Sequence, residues 1–480
     1  MQKVKPMLPI AVLVLACVIV YFNTLSNEFV FDDRATIVEN KYLSDFKGSL
    51  PAFFSTSYFE IAEAEASYRP VATLSYYMFY AIGELNPFWY HLGSLILHIL
   101  NVLLVYFVTL VIQKDQRAAL VAGLLFACHP AVTEAVNCIS FNEDLLAAMF
   151  YLMSFLLYMR TAPDRKTPAV TGFILALLLY FLGLLSKEMA ITLPMMIVVY
   201  DLAINAPDGD SLSFASMRAT IADRIFYYLG FAGVSLFYLS LRFVFLTGSE
   251  PAASLTYGSL LERIVYLPYQ FFNFIRLVVF PYPLKAEYIF SYPESFFEIY
   301  NIIAVIAFIG VIGFSIYIYR KFKAVSFGIW WFLITLLPVS NLIEITNPVA
   351  ERYLYLPAVG FCMALAILLV NIPRQIPGLN IEKSKVVGSC VILLVVLYAV
   401  VTVNRNSDWK DGLSLWSQTL EHVPNSPGVH SNLGRAYFEN GKVEEAVNEF
   451  KAAIELDPKA YKAHYNLGVA YEKKGLIPEA

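Results

Sequence analysis

Residues 89–112 read WYHLGSLILHILNVLLVYFVTLVI, a stretch without one charged side chain. A helix that crosses a bilayer needs about 20 predominantly apolar residues, so this stretch predicts a membrane-spanning helix. Comparable runs occur along most of the chain. Together they predict an all-α, polytopic bundle of about eleven spans: 7–25, 89–112, 118–137, 145–159, 169–186, 189–204, 225–246, 298–319, 325–343, 354–372 and 386–403.

The composition of the whole chain agrees with this interpretation. Of its 480 residues, 58% are hydrophobic and 15% are charged, and the mean hydropathy of +0.61 is too high for an ordinary water-soluble globule. A net charge of -4 gives no basic surface of the kind that nucleic-acid binding needs, so we exclude nucleic acid as a partner. The five cysteines show no C-x-x-C spacing, which argues against a disulfide framework or a thiolate zinc site.

Basic residues indicate which side of the membrane each connection occupies. They fall in every second predicted connection, at Lys3/Lys5, Lys114/Arg117, Arg160/Arg165/Lys166, Arg218/Arg224, Arg320/Lys321/Lys323 and Arg374/Lys383/Lys385. By the positive-inside rule, the N-terminus is cytoplasmic and the C-terminus is extracytoplasmic. If the segment 264–280 crossed the membrane alone, the alternation of basic connections would be broken, so we expect this apolar segment to be interfacial or re-entrant. The run 71–82 is too short to span and is assigned to a long first outer loop, 26–87.

The C-terminal segment repeats a short pattern. Residues 432–441 read NLGRAYFENG and residues 466–475 read NLGVAYEKKG, a period of about 34 that is typical of tetratricopeptide repeats. Residues 411–424 are predicted as the second helix of a degenerate first repeat. We therefore divide the chain into a membrane domain, 1–405, and a repeat domain, 406–480. The last residues fall inside a repeat, so we expect a truncated array. Such repeats bind polypeptides, and a passive stalk or an oligomerisation element is the alternative.

Two adjacent carboxylates open the first outer loop. Asp32 and Asp33 follow directly after the first predicted span. Neighbouring carboxylates raise one another's pKa unless a proton, a cation or a metal is present, so such a pair suits a general base or a divalent-cation ligand. A solvated turn or a helix cap is the alternative. The sequence leaves open whether a divalent cation binds to this pair.

Further polar residues gather at the predicted outer ends of the spans. A lysine or arginine there can bind an anionic lipid headgroup, and the candidates for binding its phosphate are Lys187, Arg352, Arg242 and Arg276. His129 and Glu134 do not have the spacing of a helical zinc pair, so we favour hydrogen bonding for them. The residues that we expect to support the candidate site are Arg34, His129, Glu134, Glu143, Asp144, Glu188, Glu351 and Tyr353.

Several of these segments, in order along nearly the whole chain, resemble the transmembrane and tetratricopeptide repeat-containing O-mannosyltransferases of the GT-C superfamily. They are FVFDDRATIVEN (29–40), HPAVTEAV (129–136), LLSKEMAITLPMMIVVYDL (184–202), ERYLYLPAVGF (351–361) and DWKDGLSLW (408–416). The resemblance implies transfer of a mannose-like sugar from a polyprenyl-phosphate donor to a Ser or Thr hydroxyl of an extracytoplasmic protein. The repeats would recruit that acceptor. Members of the family usually carry a longer repeat array, and the identities of sugar and acceptor stay open.

The same resemblance implies roles for individual residues. Asp32 and Asp33 match the family's acidic pair, so one of them would deprotonate the acceptor. Lys187 and Arg352 stand in motifs where cations would stabilise the leaving phosphate. The absence of an N-x-[ST] sequon favours a prokaryotic plasma membrane over the endoplasmic reticulum. The alternatives are a non-catalytic membrane scaffold or assembly factor that displays the repeats, and a transporter of lipid-linked sugars, which should concentrate charge at mid-membrane.

Overall fold

The computed structural model describes residues 7–62, 67–161, 170–205, 213–245, 258–375 and 381–475. Within these ranges the chain forms helices and connecting turns, with no β-strand. The longer helices are Met7–Tyr21, Pro70–Gly83, Pro87–Gln113, Gln116–Cys128, Asn142–Thr161, Val170–Ser186, Leu193–Ala203, Phe214–Ser240, Leu267–Val279, Ile299–Tyr319, Lys323–Thr335, Tyr355–Gln375, Ile381–Asp408, Gly412–His422, Pro427–Glu439, Val443–Leu456 and Tyr461–Lys473. The all-α prediction is confirmed.

Short helical segments connect these helices. Four are single α-turns, namely Phe46–Ser49, Tyr58–Ile61, Thr133–Asn137 and Leu260–Val265. The others are 3-10 or π turns, namely Phe22–Ser26, Arg34–Val38, Leu50–Phe54, Pro130–Val132, Ile139–Phe141, Glu188–Thr192, Leu241–Phe245, Leu337–Val339 and Glu351–Leu354. Most of them lie at the end of the bundle where the candidate site forms, because several longer helices begin or end there.

Among the described residues, seven helices are long and apolar enough to cross a membrane, and an eighth span results if one bent pair is counted. The pair is Gln116–Cys128 with Pro130–Asn137, bent by 58°. Val170–Ser186 and Lys323–Val339 are apolar but shorter, and Leu193–Ala203 has 11 residues. The polytopic architecture is therefore confirmed, whereas the count of eleven spans is not.

The two apolar segments assigned outside the spans form short helices. Leu267–Val279 has 13 residues, about 20 Å at 1.5 Å per residue, which is short of a hydrocarbon core of about 30 Å. Pro70–Gly83 has 14 residues and belongs to the first outer loop. Both lengths agree with the interpretation that neither segment crosses the membrane alone, and their depth in the bilayer stays a prediction.

The core of the bundle depends on close helix approach. An added Cβ at Gly328 would lie 2.6 Å from the carbonyl oxygen of Gly360, so only glycine lets these two helices meet. The indole of the fully buried Trp331 donates a hydrogen bond of 3.0 Å to the carbonyl of Leu356 on the same pair of helices. This packing holds the start of helix Tyr355–Gln375, and with it Arg352, in a defined place.

The C-terminal helices pair as tetratricopeptide repeats do. Gly434 lies against Phe450, and Asp411 and Ser426 cap the N-termini of the first two repeat helices. Helix Gly412–His422 appears where the degenerate first repeat was predicted. The helix before it, Ile381–Asp408, runs without interruption across the predicted domain boundary at residue 405. The repeats therefore start directly from a helix of the membrane domain.

Candidate active site

Helix ends that are far apart in sequence meet at one end of the bundle. Asn137 donates a hydrogen bond of 2.7 Å to Asn406, and Asn27 donates one of 3.3 Å to Asn137. At the opposite end, Tyr319 bonds to the carbonyl of Ala203 at 3.2 Å. The predicted outer ends of the helices thus share one side, as the alternation of basic connections requires, and which side faces out stays a prediction.

At the first end, charged side chains form what we call the rim cluster, which comprises Arg69, Glu134, Glu143, Asp144, Lys187, Glu188, Arg242 and Arg352. Lys187 is at its centre: its ammonium lies 2.8 Å from Glu143 and 2.6 Å from Asp144. All three side chains are buried. Burial lowers the pKa of Lys187, but the two carboxylates raise it by a larger amount. The lysine therefore stays charged.

Arg69 links Glu143 to Glu188 in the rim cluster, and the sequence interpretation missed it. Its guanidinium contacts Glu143 at 2.5 Å and binds Glu188 through two bonds of 2.8 and 3.1 Å. Arg242 adds a third cation, 3.3 Å from Glu188. Burial tends to raise the pKa of Glu188, but Arg69 and Arg242 bring it well below its usual value. An arginine directly before Pro70, in a largely apolar region, was the available signal.

Arg352 forms the second half of the rim cluster with Glu134. Its guanidinium lies 2.6 Å from one carboxylate oxygen, and its backbone N–H donates to the other at 2.9 Å. The guanidinium carbon also lies 4.2 Å from the ring centroid of Phe141. The ring of Tyr353 faces both cations, 5.1 Å from Arg352 and 5.7 Å from Lys187. Three of the four predicted cations, Lys187, Arg352 and Arg242, thus lie together.

Asp32 is the carboxylate of the pair that faces outward. The residue is exposed, and no other described residue forms an ion pair with it. Burial of the carboxylate by the neighbouring protein raises its pKa above the usual value; Arg352 partly opposes this, while Glu134 and Glu143 add to it. Asp32 therefore lies within electrostatic reach of the rim cluster, with its oxygens free to accept a proton.

Asp33 is fully buried and points the other way. Its carboxylate accepts hydrogen bonds from the backbone N–H of Ser140 at 2.7 Å, the thiol of Cys138 at 3.3 Å and the N–H of Val30 at 3.3 Å. Burial raises the pKa of Asp33 to about 6 in spite of these donors. This carboxylate ties the first outer loop to the segment before helix Asn142–Thr161, so its contacts are those of a structural residue.

Four other candidates lie outside the rim cluster. Glu351 accepts from Tyr288 at 2.8 Å and pairs with the buried Arg405 at 3.3 Å. His129 bonds to the carbonyl of Val278 at 3.0 Å, in agreement with the hydrogen-bonding role expected for it. Arg34 pairs with Glu439 of the repeats at 3.0 Å. Arg276 forms no ion pair in the described part of the chain. Burial lowers the pKa of Lys285, and the charge of Arg276 lowers it further.

The donor groups at the acidic pair do not fit a chelated divalent cation. Both oxygens of Asp33 already accept protein hydrogen bonds, so only Asp32 has free oxygens. Across the described residues, no group of three or more His, Cys, Asp or Glu side chains is arranged to hold a metal ion. The chemistry derived below therefore uses protein side chains alone.

The chain matches two family descriptions and a set of curated relatives. Residues 69–238 match the dolichyl-phosphate-mannose-protein mannosyltransferases, and residues 434–475 match the TPR repeat. A protein O-mannosyl-transferase of Caenorhabditis elegans is 26% identical over 458 residues, which are 93% of this chain and 62% of the relative. Protein O-mannosyl-transferase TMTC3 of Homo sapiens is 28% identical over 479 residues, 91% of this chain and 50% of the relative. The chain thus spans roughly half to three fifths of these relatives.

Solved membrane transferases resemble the chain only distantly. ArnT from Cupriavidus metallidurans, bound to undecaprenyl phosphate, gives a TM-score of 0.42 at 15% identity, over 98% of this chain and 79% of that one. The oligosaccharyltransferase AglB from Archaeoglobus fulgidus gives 0.47 at 14% identity, over 85% and 56%. The two O-mannosyl-transferases described above are animal proteins, so they lend no support to the predicted prokaryotic membrane. The ordered matches along the chain make it similar to the transmembrane and tetratricopeptide repeat-containing protein O-mannosyl-transferases.

Proposed function

We propose that the protein is a membrane glycosyltransferase that moves a mannose-like sugar from a polyprenyl-phosphate donor to a Ser or Thr hydroxyl of an extracytoplasmic protein. The observation that carries the proposal is the placement of one unpaired carboxylate, Asp32, beside a group of buried cations at a single end of the bundle. The activity for which the relatives are named, protein O-mannosyl transfer, supports the same chemistry.

The reaction needs a base for the acceptor and positive charge for the leaving group. In the proposed step, the acceptor oxygen attacks the anomeric carbon while Asp32 takes the hydroxyl proton. The bond between that carbon and the phosphate oxygen breaks, and the lipid phosphate leaves with the electron pair. Attack from the face opposite the phosphate inverts the configuration. Because desolvation by the surrounding protein raises the pKa of Asp32 above its usual value, this carboxylate is a stronger base than an ordinary aspartate.

Cations of the rim cluster would bind the phosphate. Arg352 and Lys187 are held in place by Glu134 and by Glu143 with Asp144, so they need no rearrangement to meet the developing charge. Arg69 and Arg242 hold Glu188 from two sides and add two guanidinium groups to the cluster. Guanidinium groups suit phosphate because their donors bind two oxygens at once. The proposal therefore assigns donor binding to this cluster and proton transfer to Asp32.

The test is sugar transfer by purified protein in nanodiscs that contain mannosyl-phosphoryl-polyprenol, with a Ser/Thr-rich peptide as acceptor. Asp32→Asn should lower the transfer rate by about 10²- to 10⁴-fold, the usual effect of removing a general base. Asp223→Asn is the matched control, since Asp223 is exposed near the opposite end of the bundle. Full transfer by a properly inserted Asp32→Asn variant would remove this carboxylate from the mechanism.

The same assay separates the alternatives. A scaffold that only displays repeats would leave the donor intact in every variant. A transporter would move the donor across the bilayer without cleaving the sugar–phosphate bond, which reconstituted vesicles with donor on one side would reveal. Either outcome with the wild-type protein would refute the transferase proposal.

A further inference from the structure

A cleft separates the first outer loop from the first repeat helices. Its volume is about 180 Å³. One wall carries Glu28, Phe31 and Arg34 of the loop, and the other carries Trp416, Asn432 and Arg435 of helices Gly412–His422 and Pro427–Glu439. Nothing in the sequence patterns predicted a cavity here, because its two walls are almost 400 residues apart along the chain.

The loop wall packs closely against the repeats next to the cleft. Phe31 has a φ of 56°, in the left-handed region that a phenylalanine rarely adopts. Its ring contacts those of Phe141, Trp409 and Trp416, at centroid distances between 5.3 and 6.4 Å. The backbone N–H of Glu28 bonds to the carbonyl of Lys410 at 2.8 Å. The cleft is thus a preformed feature of the fold.

The charges of the lining balance. Glu28 and Glu439 oppose Arg34 and Arg435, and Arg34 joins the two walls through its 3.0 Å ion pair with Glu439. A lining without net charge does not favour a phosphate over a neutral ligand. The lining therefore gives no preference for the anionic donor.

Several polar groups in the cleft have no partner in the described part of the chain. The Nε of Arg34 is buried and makes no hydrogen bond. The amide of Asn432 and the carboxylate of Glu28 line the cleft and form no hydrogen bond or ion pair with any described side chain or backbone group. A buried donor without a partner is costly unless a ligand or water satisfies it. Donors and acceptors together, in a neutral cleft, match the alternating N–H and C=O groups of an extended polypeptide.

Asp32 adjoins the lining of the cleft along the chain. This residue stands in the chain between the lining residues Phe31 and Arg34, and the charge of Arg435 acts on its carboxylate. We propose that the cleft binds an extended, neutral segment of the acceptor polypeptide and presents its Ser or Thr hydroxyl to Asp32. This inference rests on the proposed transferase function. The first repeat helices then form one wall of the acceptor site itself, rather than only recruiting the acceptor from a distance.

The test compares two activities of the full chain in nanodiscs. One is transfer from mannosyl-phosphoryl-polyprenol to a neutral, unstructured synthetic peptide with several Ser and Thr residues, and the other is slow hydrolysis of the donor without peptide. Asn432→Ala should raise KM for the peptide about tenfold, as expected for a lost hydrogen bond to the ligand. Asn432→Trp should raise it further by filling the cleft. Donor hydrolysis should stay unchanged in both variants.

Asn448→Ala and Asn448→Trp are the matched controls, because Asn448 is an exposed asparagine on the next repeat helix. Both should keep the wild-type KM. If the wild-type protein transfers sugar and the Asn432 variants keep its KM, the cleft is not the acceptor site although the transferase function stands. If an Asn432 variant also loses donor hydrolysis, its effect reaches Asp32 indirectly and the inference is wrong. If the wild-type protein never consumes donor, the proposed function fails first.

Discussion

Replacing Lys187 tests how the rim cluster is held together. The ammonium is the hydrogen-bond donor to Asp144, and within the described residues it is the only one. Glu143, in contrast, also contacts Arg69. Lys187→Met therefore leaves Asp144 as an uncompensated buried carboxylate while Glu143 keeps a partner. Breaking a buried pair in this way costs about 3–5 kcal/mol of stability.

The contacts also predict which second substitution restores stability. Asp144→Asn removes the uncompensated charge, so Lys187→Met with Asp144→Asn should recover about 1–3 kcal/mol relative to Lys187→Met alone. Glu143→Gln in the same background should recover little stability, because it removes the charged partner that Glu143 provides for Arg69. The measurement is denaturant unfolding of the detergent-solubilised protein, followed by tryptophan fluorescence. Equal recovery by the Asp144 and Glu143 substitutions would refute this description of the cluster.

Two further predictions concern the first outer loop. Because burial raises the pKa of Asp33 from 3.8 to about 6, the folded state holds this proton more tightly than the unfolded state. The contribution of Asp33 to the free energy of unfolding should be largest below pH 3.8 and should be lost as the pH rises through about 6. When the free energy of unfolding is measured from pH 3 to 8, Asp33→Asn should lack this pH-dependent loss. Trp416→Ala should weaken the contact between loop and repeats by about 3–5 kcal/mol, seen as faster proteolysis near residue 410, whereas Tyr461→Ala, at a 74% exposed position, should not change the rate.

The sequence predicts the helices well because their signal is local. Each of the predicted apolar runs corresponds to a helix, and most of the repeat pattern at 432–441 lies in helix Pro427–Glu439. The number of crossings is harder to predict, since it depends on length and bending. The break at His129 and Pro130 turns one predicted span into two segments bent by 58°, and hydropathy averages over such a break.

Roles within the acidic pair could not be predicted from the sequence. Asp32 and Asp33 are neighbours of the same type, yet one is exposed and the other is fully buried. The unusual backbone at Phe31, held by the rings of Phe141, Trp409 and Trp416, is part of the turn that separates them. Arg69 was missed for a similar reason: its partners Glu143 and Glu188 lie 74 and 119 positions away.

The distribution of polar groups favours an enzyme over a transporter. A transporter places its substrate at broken helices near mid-membrane, where backbone groups stay open to a cavity. Here the break at His129 is closed by the protein, because the imidazole bonds to the carbonyl of Val278 at 3.0 Å and accepts from the N–H of Ala131 at 3.2 Å. Asp201, near the opposite end, is likewise occupied by Arg224 and by Tyr228 at 2.9 Å. Within the described residues, the free carboxylate beside clustered cations is Asp32, so chemistry at one face explains this arrangement better than passage through the bundle.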